Sequence, residues 1–409
     1  MEKNILVAID VGTTKVCTLI AENENDMNMH ILGVGVEPMS GMKKGQVIDI
    51  PSAQQAVNNS VHRAERSSGL EVDNAVVNLA GSHITSVNNR AAVGIVNGVI
   101  QPYDVMRVTE AVKAIPVENN RAILHTVERS FCVDGVDGVR SPLGMYASRL
   151  ELEANVIMAS KSAMENIRQV VLNSDIEVSR FVLNAMADAE VVLTDIEKQM
   201  GVVVCDIGGG TIDLSIYING DVWHNAVIPV GGSHITGDIS QRFHLPLDQA
   251  EEVKKVHGSC LPDYVDAEDY FYCRTFSRSE AARFSRKDLA VTINMRMEEM
   301  FQLIMQEIKR SGYDNLLPAG LVLTGGTALM PGIDRLGSEV LGMPVRIGKP
   351  ENLSGMIDQL DSPMYSTAVG LLYWPLMMKN VMEDSQGKKP KKAGFFSKVK
   401  EGVKLLLPW

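Results

Sequence analysis

The sequence predicts a duplicated α/β fold, two similar lobes closing on a cleft, and three stretches carry that expectation. Val202 to Cys205 is a continuous apolar run, as in a strand covered on both faces. Asp206 ends it, Gly208, Gly209 and Gly210 make a turn with Thr211, and Ile212 to Ile218 returns as a second strand. Three residues without side chains let backbone N–H groups approach a phosphate, and the carboxylate would face the Mg²⁺ that accompanies it. The pattern has a second copy: Ile5 to Ile9 is a strand, Asp10 ends it, Val11-Gly12-Thr13-Thr14-Lys15 turns, and Val16 to Ile20 returns. Asp10 falls on Asp206 and Gly12 on Gly208, which implies two half-folds facing each other across a nucleotide. A third buried strand runs from Gly320 into Thr324-Gly325-Gly326-Thr327, and its backbone-exposing turn fits the base or α-phosphate side of the same cleft.

Composition limits what such a chain does. Its 409 residues, 45% hydrophobic, allow two or three domains with filled cores. A formal charge of −11 argues against nucleic acid as a general partner. Five cysteines, an odd number without a C-x-x-C pair, read as free thiols of a reducing cytosol, with no zinc site implied. Met1-Glu2-Lys3 leads directly into a strand, so no signal peptide is expected. No apolar run approaches the ~20 residues of a membrane span. The longest, Ala368 to Met378, contains Pro375 and reads as a buried helix.

The remaining elements follow in order. Ile31 to Val36 continues the first strands, and Ser52 is the expected N-cap of a helix reaching Ser67, with Ala56, Val57, Val61 and Ala64 at helical spacing. Ala75 to Ala80 is a short buried strand. From Ser82 to Ala159 the strands become alternating and partly polar, as in Ile123 to Cys132 and Leu150 to Ala159, with a helix over Asp104 to Ala114, so this stretch reads as an insert. His83 and His125 lie isolated in it and read as ordinary polar contacts. A helix from Ser162 to Asn173, a strand at Phe181 to Leu183 and one helix from Ala185 to Lys198 then join the halves. His224 to Pro229 is a strand and Ile235 to Phe243 a helix. Asp248-Gln249-Ala250-Glu251 fits a capping box at the next helix. Leu261 to Arg286 reads as irregular surface. Leu289 to Arg310 is the longest helix, with Ile293, Met297, Met300, Phe301, Ile304 and Ile308 on a core-facing stripe, and Gly312 stops it.

The last residues reverse the chain's acidity: from Lys388 onward seven lysines stand against Glu401 alone. Glu383 to Gly394 is polar and lysine-rich and reads as a disordered tether. At ~100° per residue, Phe395, Phe396, Val399, Val403, Leu406 and Leu407 share an arc of roughly 120°, with Lys400 and Lys404 outside it. That is the pattern of a helix lying in the interface of an anionic membrane.

Asp10-Val-Gly-Thr-Thr, Asp206-Ile-Gly-Gly-Gly-Thr and Leu323-Thr-Gly-Gly-Thr resemble the two phosphate motifs and the adenosine motif of the actin and heat-shock chaperone ATPase superfamily. Within it the chain looks most like the FtsA family of bacterial cell-division proteins, through Val227-Ile-Pro-Val-Gly-Gly-Ser-His-Ile-Thr-Gly-Asp-Ile, Ala250-Glu-Glu-Val-Lys, Val345-Arg-Ile-Gly-Lys-Pro and Tyr365-Ser-Thr-Ala-Val-Gly-Leu-Leu. The resemblance implies an actin-like (ribonuclease H-like) fold around ATP and Mg²⁺. Gly12, Thr13, Thr14 and Lys15 would hold the β- and γ-phosphates, opposite Gly208, Gly209, Gly210 and Thr211. Asp10 and Asp206 would meet the metal through water, Glu251 and Lys254 the ribose, and Gly325, Gly326 and Thr327 the adenosine. It divides the chain into subdomain 1A (1–81, 160–198 and 361–382), the insert 1C (82–159), 2A (199–230 and 311–360) and 2B (231–310). The linker is then 383–394 and the membrane helix 395–409.

The family further implies filaments on the cytoplasmic face of the inner membrane at the division site. Subdomain 2B would dock the C-terminal peptide of FtsZ, with Lys309 and Arg310 as a basic end of the long helix, and 1C would serve later division proteins. The alternative is a small-molecule phosphotransferase of the same superfold, but no base tied to a second substrate pocket is evident. The residues after Tyr373 are too few for a chaperone's peptide-binding domain. Asn184-Ala185-Met186-Ala187 stands where the chaperones carry a Glu-Pro pair, so no catalytic residue is assigned and vigorous hydrolysis is not expected.

Overall fold

Two sheets share one strand plan in the computed structural model, which describes residues 5–25, 28–276, 281–351, 353–358 and 360–385. In the first, Ile5–Val11 pairs antiparallel with Lys15–Asn25, and that strand with Asn28–Pro38. On its other side Ile5–Val11 runs parallel to Asn74–Leu79, which runs parallel to Glu177–Leu183. In the second, Val202–Ile207 pairs antiparallel with Ile212–Ile218, and that strand with Asp221–Ile228. Val202–Ile207 then runs parallel to Leu321–Thr324, which runs parallel to Val345–Ile347. The duplication extends to the turns, where the Gly12 N–H donates to Lys15 O at 2.9 Å and the Gly208 N–H to Thr211 O at 3.0 Å.

Helix α1 (Ile50–Ser68) packs Ala53, Ala56, Val57, Val61 and Ala64 on the first sheet. The cap expected at Ser52 is Asp49 instead, because Pro51 suits the first turn, where its missing N–H would be unpaired. Ser52 Oγ donates to Asp49 Oδ2 at 2.6 Å. The insert is a four-stranded sheet, ordered Thr85–Gly94, Arg149–Ser160, Arg121–Val133 and Val136–Val139, with α2 (Pro102–Val112) over a small core of Val108, Val112, Phe131, Leu150 and Leu152. Helix α3 (Lys161–Leu172), capped by Ser160, returns to the first sheet.

The two histidines of the insert make ordinary contacts, His83 Nδ1 accepting from the Ser160 N–H (3.4 Å) and His125 Nε2 from the Leu183 N–H (3.3 Å). Burial, helped by Arg180, pulls His125 from its usual 6.5 to about 4. A depressed imidazole contributes stability that is complete above pH 6.5 and is lost as pH falls towards 4. His125→Gln, which keeps an acceptor but does not titrate, is expected to shrink that acid destabilisation by about 3 kcal/mol in urea melts at stepped pH. An equal acid loss in both proteins would contradict it.

The helix expected over 185–198 is two, α4 (Asn184–Val192) and α5 (Asp195–Met200). The break comes from Thr194, whose side chain accepts from the Glu197 N–H while Glu197 accepts from the Thr194 N–H, restarting the helix. In the second half, α6 (Gly232–Phe243), α7 (Leu247–His257), α8 (Arg286–Ser311) and α9 (Ile333–Leu341) surround a core that includes the buried stripe expected on α8. Helix α7 starts at Leu247 after Pro246, so Asp248 lies inside its first turn and the capping box does not form. The stretch expected as irregular surface contains a hairpin, Tyr270–Cys273 with Ala282–Ser285. Alternation along it buries Phe271 against Phe243 and Phe284 and leaves Tyr272 exposed.

Helix α10 (Ser366–Ser385) lies on α4 in the core of the first half, with Ala368, Leu371 and Leu372 buried. Among the described residues no helix is long and apolar enough to cross a membrane. The expected tether began at Glu383, but Glu383 to Ser385 are the end of α10; the rest of it, 386–394, and the amphipathic pattern of 395–409 lie outside the described residues.

Candidate functional site

The two duplicated turns touch. A Cβ added to Gly209 would meet the Thr14 side chain at 2.5 Å, and one on Gly210 the Thr13 side chain at 2.6 Å. They close one end of a cavity of about 580 Å³. Asp10 with Gly12 to Lys15, Asp206 with Gly208 to Thr211, Glu251 and Lys254 of α7, and Gly325 to Thr327 all line it. The structure therefore brings every cleft residue singled out in the sequence to one place.

Each turn is held by its neighbours. The first two amides of α6, Gly232 and Ser233, donate to Gly208 O (2.9 Å) and Gly209 O (2.8 Å), and Thr327 Oγ1 donates to Gly208 O at 3.2 Å. Gly325 sits at φ +87°, and a side chain there would collide with Asp206 Oδ1.

The two aspartates differ in surroundings. Asp10 is paired twice, accepting from Asn78 Nδ2 at 2.9 Å and from Lys15 Nζ at 3.0 Å. Asn78 accepts in turn from the Val11 N–H (2.6 Å) and donates to Asn184 Oδ1 (3.1 Å). Asp206 has Thr367 Oγ1 3.4 Å from Oδ2, while its Oδ1 is buried without a partner. Burial and then the charge of Asp10 push Asp206 up to about 7. Burial and the nearby Asp206 likewise push Asp188 and Asp213 well above the carboxylate range, and each has an oxygen without a partner. Buried carboxylates so close to one another, with Lys15 as their neighbouring cation, cannot all ionise. An added cation would relieve that repulsion.

Thr367 Oγ1 also lies 2.9 Å from Asp188 Oδ1. Thr367 thus stands between the two carboxylates, with the shorter contact to Asp188 and the longer one to Asp206. Among the described residues no three carboxylate, histidine or cysteine side chains could hold a metal by themselves. Mg²⁺ does not need them, since it binds through one or two carboxylates with phosphates and retained water. The residues fit that ion.

On α7, Lys254 Nζ donates to Glu251 Oε2 (2.6 Å), Thr236 Oγ1 (2.9 Å) and Gly232 O (3.2 Å), and Thr236 Oγ1 donates to the same Glu251 oxygen. Burial alone would raise the Glu251 carboxyl, but Lys254, with Thr236 and Lys255, outweighs it and holds the group below its ordinary value. This network, in place of the expected cap, explains why Glu251 faces the cavity. Sequence reading missed Asn78, Asp188 and Thr367. Asn78 had a signal, as the one amide in the apolar run Ala75 to Ala80, and Thr367 had none.

Comparison with solved structures defines the class of fold. The chain aligns with MreB5 of Spiroplasma citri bound to AMPPNP at a TM-score of 0.55, covering 94% of this chain and 99% of that one at 17% identity. It aligns with the PilM-PilN type IV pilus biogenesis complex at 0.65, covering 91% and 98% at 16% identity. The protein thus has the actin-like fold, two related lobes about a cleft. Residues 203–370 match the family cell division protein FtsA, and 81–158 match the SHS2 domain inserted in FTSA. Cell division protein FtsA of Pseudomonas aeruginosa is 37% identical over 376 residues, 92% of this chain and 90% of the relative. That of Escherichia coli K12 is 31% identical over 380 residues, 91% and 90%. The chain belongs to the FtsA family of cell division proteins.

Proposed function

We propose that the cleft binds Mg-ATP and that the chain then polymerises on the cytoplasmic face of the membrane, anchoring the FtsZ ring and recruiting later division proteins through its insert. The observation that carries the nucleotide reading is a cavity lined by two touching glycine turns, with a buried, partnerless carboxylate oxygen on Asp206. The solved MreB5 structures carry ADP and AMPPNP, which supports the same reading. Gly12 to Lys15 and Gly208 to Thr211 would hold the phosphates, Asp10 and Asp206 the hydrated metal, Glu251 and Lys254 the ribose, and Gly325 to Thr327 the adenosine. The Mg²⁺ would neutralise the phosphates. Turnover is slow, because α4 presents the amide of Asn184 to the cavity while Asp188 lies behind it. Electron microscopy of the full chain on anionic lipid monolayers tests this: filaments are expected with ATP and Mg²⁺, and their absence would refute polymerisation.

For the FtsZ C-terminal peptide we propose the face of α8 beside α6. Val291 and Met295, one turn apart, are 41% and 67% exposed there, next to Arg242 along a groove of about 510 Å³ in which Arg296 is already paired with Asp238 and Glu299, so apolar burial rather than charge would hold the peptide. The basic end read at Lys309 and Arg310 is partly neutralised, since Arg310 pairs with Glu307 at 2.7 Å. Burying a methionine side chain contributes about 1.5–3 kcal/mol, so Met295→Glu is expected to weaken the peptide at least ~10-fold in fluorescence anisotropy. Unchanged affinity would remove this face from the interface.

A further inference from the structure

Asp206 is oriented from the other half of the molecule. Its described hydrogen-bonding partner, Thr367, is 161 residues away on α10, whose core residues belong with Ala8 and Ile9 of the first sheet. Asp10, by contrast, is held by Asn78 and Lys15 of its own half. The height of Thr367 is fixed on both sides. Ser366 Oγ, just before it, lies 2.6 Å from Thr324 Oγ1, at the end of the Leu321–Thr324 strand of the second sheet. Gly370, one turn later, packs backbone to backbone on α4, where an added Cβ would lie 2.0 Å from Ala187 O. Helix α10 can therefore neither rotate nor slide without moving this hydroxyl. With Asp206 Oδ2 tied to Thr367, the partnerless Oδ1 is the oxygen left for a ligand.

We propose that Thr367 is a positioning residue for the metal-dependent part of nucleotide binding, aiming the Asp206 carboxylate across the two halves so that the cleft takes a hydrated divalent cation only when both are docked. This rests on the reading that Mg-ATP occupies the cleft. It adds a residue outside the glycine turns and a reason for the halves to be joined at this point. A hydroxyl that served only to seat the start of α10 would affect folding, not the difference that Mg²⁺ makes.

The test is titration of the full chain with a fluorescent ATP analogue, in excess Mg²⁺ and in EDTA, alongside thermal melts without ligand. Wild type is expected to bind more tightly with Mg²⁺. Thr367→Val, close in shape but lacking the hydroxyl, is expected to lose about ten-fold in Mg²⁺ and nothing in EDTA, and Thr367→Ser to return within about two-fold of wild type. If valine melts early, Thr367→Ala is held to the same comparison. Equal losses in Mg²⁺ and EDTA, or no loss, would overturn the role of Thr367 while leaving the cleft reading intact. A wild-type chain with no Mg²⁺ preference would overturn the cleft reading itself, and this proposal with it.

Discussion

Asp206→Ala is expected to abolish the stabilisation that ATP and Mg²⁺ give the folded chain while leaving the ligand-free protein as stable as wild type or more so. A ligand that binds only the folded state at a hundred times its Kd contributes about 2.7 kcal/mol, which a thermal-shift series resolves. Removing Asp206 takes away one of the two carboxylates proposed to face the metal, and a Mg²⁺ site with so few loses much of its charge complement. The opposite sign without ligand follows from its surroundings. The side chain is buried, one oxygen has no partner, and Asp10 repels its charge. An undiminished ATP-induced shift in the mutant would sink the metal assignment. A large loss of ligand-free stability would show that Asp206 serves the fold instead.

Removal of the residues after Lys392 is expected to release the protein from anionic liposomes in co-sedimentation, and Phe396→Glu to do nearly the same. Six apolar residues share one helical face between Phe395 and Leu407, and each lysine near an anionic surface adds about 1 kcal/mol at most. A helix of this length is marginal in water and must fold as it binds, so one copy holds weakly. A filament presents many copies on one surface, and avidity of ~10²-fold or more then makes attachment depend on ATP. A truncated chain that still sediments with liposomes would refute the anchor. Equal recruitment of a polymerisation-dead variant would refute the cooperative part.

By itself the sequence determined the duplication, the three glycine turns and the long helix of the second half. Each rests on short-range geometry: an apolar strand of fixed length, a carboxylate at its end, and residues without side chains where the backbone must turn. Those signals survive folding because no distant group competes for them. What tertiary structure decided is what depends on partners far along the chain. The cap at Asp248 failed because Pro246 reset the helix start and Glu251 found Lys254 one turn along α7 and Thr236 on α6. Phe271 became core because a hairpin partner and α6 covered it. Asp206 acquired its raised pKa and its threonine only when both halves closed around it, because burial and the charge of Asp10 act through space and leave no mark on local sequence.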